Sequence, residues 1–436
     1  MKKFWCLLLI ALLLAGCSRS PAEPITVQAS APAASETAAI PELTPSFAPV
    51  PTAAPQSPFE TAPLTPEPTP LPTPKPTPAP TLSPEDRLYA YIDGMSTEEK
   101  IGQLCMFGFS GTKEISAEFK GILQDYCIGN VILYGQNMVR TNGDGGFAQC
   151  RKLTDSVRAA SASEIPLLIS TDVEGGNVTR FHWGKTLSSA KTLGSKNDTD
   201  RAEDQFRYIA EGLLSAGINT DLAPCLDVAK NPDGTFLNNR IISSDEEIVA
   251  RIGAACIDGL HEGGCLSIVK HFPGHGATDD DSHAGTPVVI KSLDALSDYE
   301  LVPFARALSG ADGVMVAHIS YPKIDDAHIA SQSEVFMTDI LRNELGFEGF
   351  IMSDDFRMAG LRNQTSLKNG AVQFILAGGD LILCGANHSY QRQILTGLYE
   401  AVENGVISEE RLNESVYRIL TAKMHATGWD PYEYED

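Results

Sequence analysis

Several things are scarce in this chain, and each scarcity excludes something. Beyond residue 16 no apolar run approaches the ~20 consecutive residues that cross a bilayer, so no later segment is expected to span one. Cysteine is sparse, nine in 436 residues, and no two form a CxxC pair, which argues against a zinc–thiolate site. Positive charge is short: 33 Lys and Arg face 56 Asp and Glu, a formal net charge of −23. So acidic a chain disfavours nucleic acid and anionic membrane surfaces as partners. The first strand-like run empties into Phe107-Gly108-Phe109-Ser110-Gly111, which is not the GxGxxG turn expected of a nucleotide-binding open sheet.

What is present begins with a targeting segment. Residues 1–16 read as a signal peptide, with Lys2 and Lys3 ahead of an apolar run from Phe4 to Leu14. The run closes on Leu14-Ala15-Gly16-Cys17, which resembles a bacterial lipobox. The resemblance implies cleavage before Cys17 and lipidation of that cysteine. The chain is then expected on the outer face of the cytoplasmic membrane, or secreted, touching lipid only through this N-terminal anchor. Residues 17–84 are rich in Pro, Thr, Ala and Ser and hold too few apolar residues to bury a core. They are expected to be a disordered, semi-rigid spacer.

Residues 85–436 are expected to form one catalytic domain. Eight short apolar runs alternate with amphipathic stretches: 103–109, 130–135, 166–172, 219–227, 266–271, 313–321, 349–354 and 380–384. The runs are apolar on both faces, as strands of a buried parallel sheet are. Helical spacing marks 244–261, 292–308, 334–345 and 364–377. Eight such units in roughly 340 residues predict an α/β fold of the (β/α)8 barrel type, where catalytic groups gather at the C-terminal ends of the strands. The conspicuous polar residues fall there: Asp172 and Glu174 after the third run, Asp221 and Asp227 on the fourth, Lys270 and His271 on the fifth, His318 on the sixth, Asp354 and Asp355 on the seventh. The seven cysteines from Cys105 onward are expected to be small core residues.

The densest of these segments is Lys270-His271-Phe272-Pro273-Gly274-His275-Gly276, running on to Asp281-Ser282-His283. Histidines and aspartates this close suggest a metal site, but Pro273 and Gly274 separate His271 from His275 and prevent the shared helix face of an HExxH site. No metal or other cofactor is expected. Asp281 and His283, two residues apart in an extended loop, lie on one side and suit either a surface Asp–His pair or an acid/base dyad. No GxSxG elbow frames Ser282 as a nucleophile. Asp354 ends a strand at the barrel mouth, where a carboxylate serves equally as nucleophile or as helix N-cap. Asp172 and Arg180 suit either sugar hydroxyls or a salt bridge.

The loop 270–283, the segment Asp172–Arg180 and Ser353-Asp354-Asp355 together resemble family 3 glycoside hydrolases, in their β-N-acetylglucosaminidase branch. The resemblance runs from about Met95 to the end of the barrel. It implies retaining hydrolysis of terminal non-reducing β-linked N-acetylglucosamine, from cell-wall fragments or related glycans. It assigns Asp354 as nucleophile, His283 as acid/base and Asp281 as its partner. Asp172, Arg180, Arg240, Lys270 and His271 would bind the sugar. Two positions depart from the pattern: Asn239-Arg240-Ile241-Ile242 replaces Arg-Ser-Phe, and Asn177 stands where an arginine is usual. The chain is expected to act as a monomer. The competing reading is a glycan-binding surface lipoprotein on a degenerate barrel.

Overall fold

The computed structural model describes residues 83–140 and 145–432. The expected signal peptide, Cys17 and nearly all of the spacer lie outside these residues.

Ten strands are present among the described residues: β1 (Cys105–Gly108), β2 (Asn130–Ile132), β3 (Leu168–Thr171), β4 (Thr220–Asp221), β5 (Leu266–Phe272), β6 (Gly313–Val316), β7 (Ser320–Tyr321), β8 (Asp325–Ile329), β9 (Phe350–Ser353) and β10 (Ile382–Cys384). Eight of them form one parallel sheet in the order β10-β1-β2-β3-β4-β5-β6-β9. The two ends meet through a parallel bridge between Met352 and Leu381, with the Ser353 N–H donating to the Leu381 carbonyl at 3.0 Å. The sheet thus closes on itself, and helices cover its outside, as the eight alternating runs predict. β7 and β8 are an antiparallel hairpin inserted after β6.

Each expected run coincides with a barrel strand; β5 runs one residue past its expected end, and the other seven strands are shorter than their runs. In 219–227 only Thr220 and Asp221 stay in named ladder positions. In 313–321 the chain leaves the barrel after Val316, and Ser320 and Tyr321 pair with the hairpin instead. At the strand ends the backbone turns to line the barrel mouth.

The helices follow local chemistry. Ser96 accepts from Glu99 N while Glu99 caps back onto Ser96 N, a complete capping box. Asp245 caps the helix Glu246–Glu262. The stretch 292–308, expected as one helix, is two, Leu293–Ser297 and Val302–Ala307. Pro303 has no N–H for the preceding turn and sits at the start of the second helix instead.

The bottom of the barrel is closed by the helix Glu409–Thr427. Its Arg411 and Arg418, with Arg342, converge on the buried Asp380 at the start of the β10 run. Lys423, also fully buried, donates to Gln103 Oε1 at 2.6 Å and to the Gly129 carbonyl at 2.7 Å. The seven described cysteines are free thiols, six of them buried.

Candidate active site

At the C-terminal ends of the strands lies a cavity of about 190 Å³. Seven of the eight expected site residues in the barrel line it: Asp172, Arg180, Arg240, Lys270, His271, His283 and Asp354. The eighth, Asp281, stands behind His283. These eight residues lie on or follow four strands, β3, β4, β5 and β9, as the barrel geometry requires.

One wall is an ion-pair lattice. Lys270, fully buried at the end of β5, donates to Asp172 Oδ1 at 2.8 Å and to Glu174 Oε1 at 2.6 Å. Arg180 reaches the other oxygen of Asp172 at 2.8 Å. Arg240 makes a two-pronged contact with Glu174, Nε to Oε2 at 2.8 Å and Nη2 to Oε1 at 2.9 Å. Burial alone would raise both carboxyl pKa values. The adjacent cations outweigh it, holding Asp172 well below the usual range and Glu174 down at about 2. The Asp172–Arg180 contact exists within the site, so the sugar-binding and salt-bridge readings of that pair are compatible.

A second wall rests on Asp227, which is completely buried. Its Oδ2 lies 2.6 Å from His271 Nδ1, and its Oδ1 accepts the His275 N–H at 2.5 Å. His271 turns its other nitrogen toward Arg240 Nη2, at 3.3 Å, on the cavity side. Cys225 Sγ also donates to Asp227 Oδ2, at 3.1 Å.

Cys225, Asp227 and His271 are the one group among the described residues whose donor atoms lie close enough together to hold a metal ion. Their chemistry does not fit one. Asp227 Oδ2 already serves both neighbours, and burial pushes the Cys225 thiol well above its ordinary pKa, away from the thiolate a metal needs. His275, the other histidine of the sequence motif, spends Nε2 on Ser282 at 2.9 Å.

Asp354 and His283 line the same cavity. Asp354 follows β9 and is oriented by two backbone bonds: its own N–H to the Val316 carbonyl at 3.0 Å, and the Asp355 N–H to its Oδ1 at 2.8 Å. Burial would raise its pKa, but the His271 and His318 imidazoles and the Asp355 N–H hold it below the usual carboxylate value. His283 Nδ1 sits 2.8 Å from Asp281 Oδ1, and its backbone N–H bonds the same oxygen at 2.9 Å. These two hydrogen bonds hold the His283 ring against the Asp281 carboxylate.

Sequence reasoning placed Glu174, Asp227, Asp355 and His318 at strand ends without giving them roles. Glu174 and Asp227 prove to be the anchors of Arg240 and His271. Asp355 accepts from the Tyr134 hydroxyl at 2.9 Å and from Arg357 Nη2 at 2.7 Å, and all three line the cavity. Tyr134 and Arg357 were missed. The available signal was their position, just past β2 and just past β9. The Phe272–Gly276 turn, which its glycines suggest as a hinge, is closely packed. Gly274 (φ +131°) accepts from the buried Tyr321 hydroxyl at 3.1 Å, and a Cβ on Gly276 would lie 2.2 Å from the Val228 carbonyl oxygen.

Comparison with known proteins agrees with the barrel fold. Residues 96–422 match the family model described as the glycosyl hydrolase family 3 N terminal domain. The chain is 34% identical over 305 residues to a protein named beta-hexosaminidase from Idiomarina loihiensis, covering 68% of this chain and 88% of that one. It is 29% identical over 371 residues to beta-hexosaminidase A of Pseudoalteromonas piscicida, covering 76% of this chain but 61% of that protein. Among solved structures, a family 3 beta-N-acetylglucosaminidase from Paenibacillus sp. FPU-7 superposes with a TM-score of 0.71 at 35% identity, covering 76% of this chain and 63% of that one. The chain therefore spans under two thirds of the Pseudoalteromonas and Paenibacillus proteins.

Proposed function

The chain belongs to glycosyl hydrolase family 3, and from that premise we propose that it removes terminal non-reducing β-linked N-acetylglucosamine from glycans with retention of configuration. The observation that carries the reading is the placement of Asp354 and the Asp281-backed His283 on one cavity. The names of the relatives point the same way.

In this reading Asp354 Oδ attacks the anomeric carbon as the bond to the leaving oxygen breaks, and protonated His283 gives that oxygen its proton. A glycosyl-aspartate ester results. Water then attacks the same carbon, His283 takes the water's proton, and Asp354 leaves as carboxylate. Two inversions give retention. Asp281 keeps its negative charge beside the imidazole through both steps. Lys270, Asp172, Arg180, Arg240 and His271 hold the sugar hydroxyls. Because they are already paired with one another, they enter the reaction pre-aligned, which is where positioning gains its rate. Cell-wall fragments or related glycans are the proposed substrates. We further propose that Cys17 carries a lipid that keeps the enzyme on the outer membrane face; incorporation of a labelled fatty acid, lost in Cys17→Ser, tests this.

The deciding experiment is hydrolysis of an aryl β-N-acetylglucosaminide by the wild type and by Asp354→Ala and His283→Ala. Both variants should lose nearly all activity, and a fluorinated sugar should leave a covalent adduct on Asp354 in the wild type. Full activity in either variant refutes the assignment. Binding of the sugar with neither turnover nor adduct identifies a glycan-binding protein instead.

A further inference from the structure

Ser282 stands out for its burial. Its neighbours in sequence are open to solvent, with side-chain exposures of 43% for Asp281 and 68% for His283, while Ser282 itself is 2% exposed. A buried hydroxyl needs a partner, and this one has His275 Nε2 at 2.9 Å. Its backbone carbonyl accepts the Gly360 N–H, also at 2.9 Å. Ser282 is therefore gripped from two sides: by the turn that follows β5, and by the segment that follows Asp354.

His275 is in turn fixed from below. Its N–H bonds the buried Asp227, and the Phe236 ring meets the imidazole edge to face at 4.6 Å between centroids. Its Nδ1 is buried without a hydrogen-bond partner, so the bond to Ser282 is the one polar contact of the ring. Asp227 holds His271 through its second oxygen. One buried carboxylate thus aligns both the cavity-facing His271 and the ring that holds Ser282. Between His275 and Asp281 the chain is only weakly tied: Asp279 and Asp280 are exposed, and the bonds there are local ones, Asp280 N to Thr278 Oγ1 at 3.1 Å and Thr278 N to the His275 carbonyl at 3.4 Å.

We infer that Ser282 and His275 are positioning residues for proton transfer: their buried hydrogen bond pins the Asp281-Ser282-His283 tripeptide to the barrel and keeps His283 turned toward Asp354. The inference rests on the glycosidase reading above. It has a particular signature. The Asp281–His283 pair is local and survives loss of the anchor, as does the sugar-binding lattice, which shares no hydrogen bond with Ser282. What relaxes is the distance from His283 to the leaving oxygen. The cost falls on acid catalysis alone.

Ser282→Ala and His275→Gln test this independently. Ser282→Ala removes one oxygen and keeps the carbonyl that Gly360 uses. Each would be assayed against aryl β-N-acetylglucosaminides ranging from 2,4-dinitrophenyl, which departs without a proton, to phenyl, which needs one. The expected result is a loss of about tenfold or more in kcat/KM with the phenyl glycoside and less than about threefold with the dinitrophenyl glycoside, since general acid help is worth ~10²–10⁴. Inhibition by N-acetylglucosamine should be unchanged, and backbone amides of 278–286 should exchange faster in both variants. A loss of equal size along the whole series, or no loss, overturns the inference, as does unchanged amide exchange. A wild type that turns over none of the glycosides refutes the glycosidase reading instead, and the exchange experiment still reports on the anchor.

Discussion

Lys270 Nζ lies 2.6 Å from Glu174 Oε1, and both side chains are almost wholly shut off from solvent. Lys270 also holds Asp172, so a single ammonium joins the two carboxylates that Arg180 and Arg240 grip from the cavity side. The lattice contains three cations and two anions; Lys270 and Glu174 at its centre are shut off from solvent, while Arg180 and Arg240 keep part of their side chains open to the cavity. Breaking one member of such a buried set typically costs ~3–5 kcal/mol.

Lys270→Met is therefore expected to lower unfolding free energy by about 3 kcal/mol and to abolish measurable glycoside turnover. Urea denaturation read by circular dichroism checks the first, and the aryl glycoside assay the second. A variant as stable as the wild type would mean that Arg180 and Arg240 satisfy the two carboxylates unaided.

Acid should dismantle the same lattice, and the direction can be worked out. Glu174 has a folded pKa of about 2, below its unfolded value. Its contribution to stability is complete above the unfolded value, near ~4.3, and is lost as pH falls toward about 2. Glu174→Gln removes that contribution at every pH. The variant should be less stable than the wild type at pH 7, and the gap should narrow as pH is lowered from 5 to 2. Unfolding midpoints across that range give the answer; a gap that stays constant shows Glu174 is not the group responsible.

Much of this site was legible in the sequence because barrel topology converts strand ends into one surface. Lys270, Asp172 and Asp354 are distant in the chain, yet each follows an apolar run, and the closed sheet does the rest. What could not be read was pairing. Glu174 and Asp227 looked like any strand-end carboxylates. Their roles arise because Arg240 and His271 return to them across 66 and 44 residues of chain. The close packing around Gly274 and Gly276 was hidden for a related reason. Glycine tolerates both mobility and close packing, and the sequence does not show the contacts with Tyr321 and Val228.

The Asp281–His283 pair yields a geometric prediction. Asp281→Asn preserves size but replaces an oxygen that accepts from both the backbone and the ring of His283. The amide can turn its NH₂ toward the ring and hold the wrong tautomer, a change that costs about 10⁴-fold in kcat in a Ser-His-Asp triad. Turnover of a phenyl glycoside should fall about 10²-fold or more, with far less effect on the dinitrophenyl glycoside. Equal losses on both substrates would place Asp281 in a structural rather than an acid/base role.

Thiol chemistry should leave the enzyme untouched. Burial raises the pKa of all seven described cysteines, and only Cys127 is partly exposed to a reagent. The thiolate is the reactive form. Brief iodoacetamide treatment of the native protein should therefore label Cys127 alone among these seven, without loss of activity. Mass spectrometry of tryptic peptides reads the sites. Labelling of Cys225 with loss of turnover would show that the floor beneath His271 opens to solvent.

Asp221 offers the last test, because it separates a carboxylate near the site from one that belongs to it. It lies on β4 with Oδ1 accepting the Val173 N–H at 2.8 Å, while Oδ2 is buried without a hydrogen-bond partner. It does not line the cavity. Burial, reinforced by the negative charges of Asp172 and Glu174, lifts its pKa well above the ordinary value. The protonated form is thus the one the fold favours. A raised folded pKa means that the stability it gives is complete below the unfolded value, near ~3.9, and drains away as pH rises toward the folded value. Asparagine copies the neutral acid in shape and keeps the oxygen that Val173 needs. Asp221→Asn should hydrolyse glycosides at close to the wild-type rate and should lose less stability than the wild type between pH 5 and pH 9. Parallel pH–stability curves for the two proteins would show that Asp221 is ionised in the native state, and that Lys270, whose charge lowers its pKa, outweighs the burial.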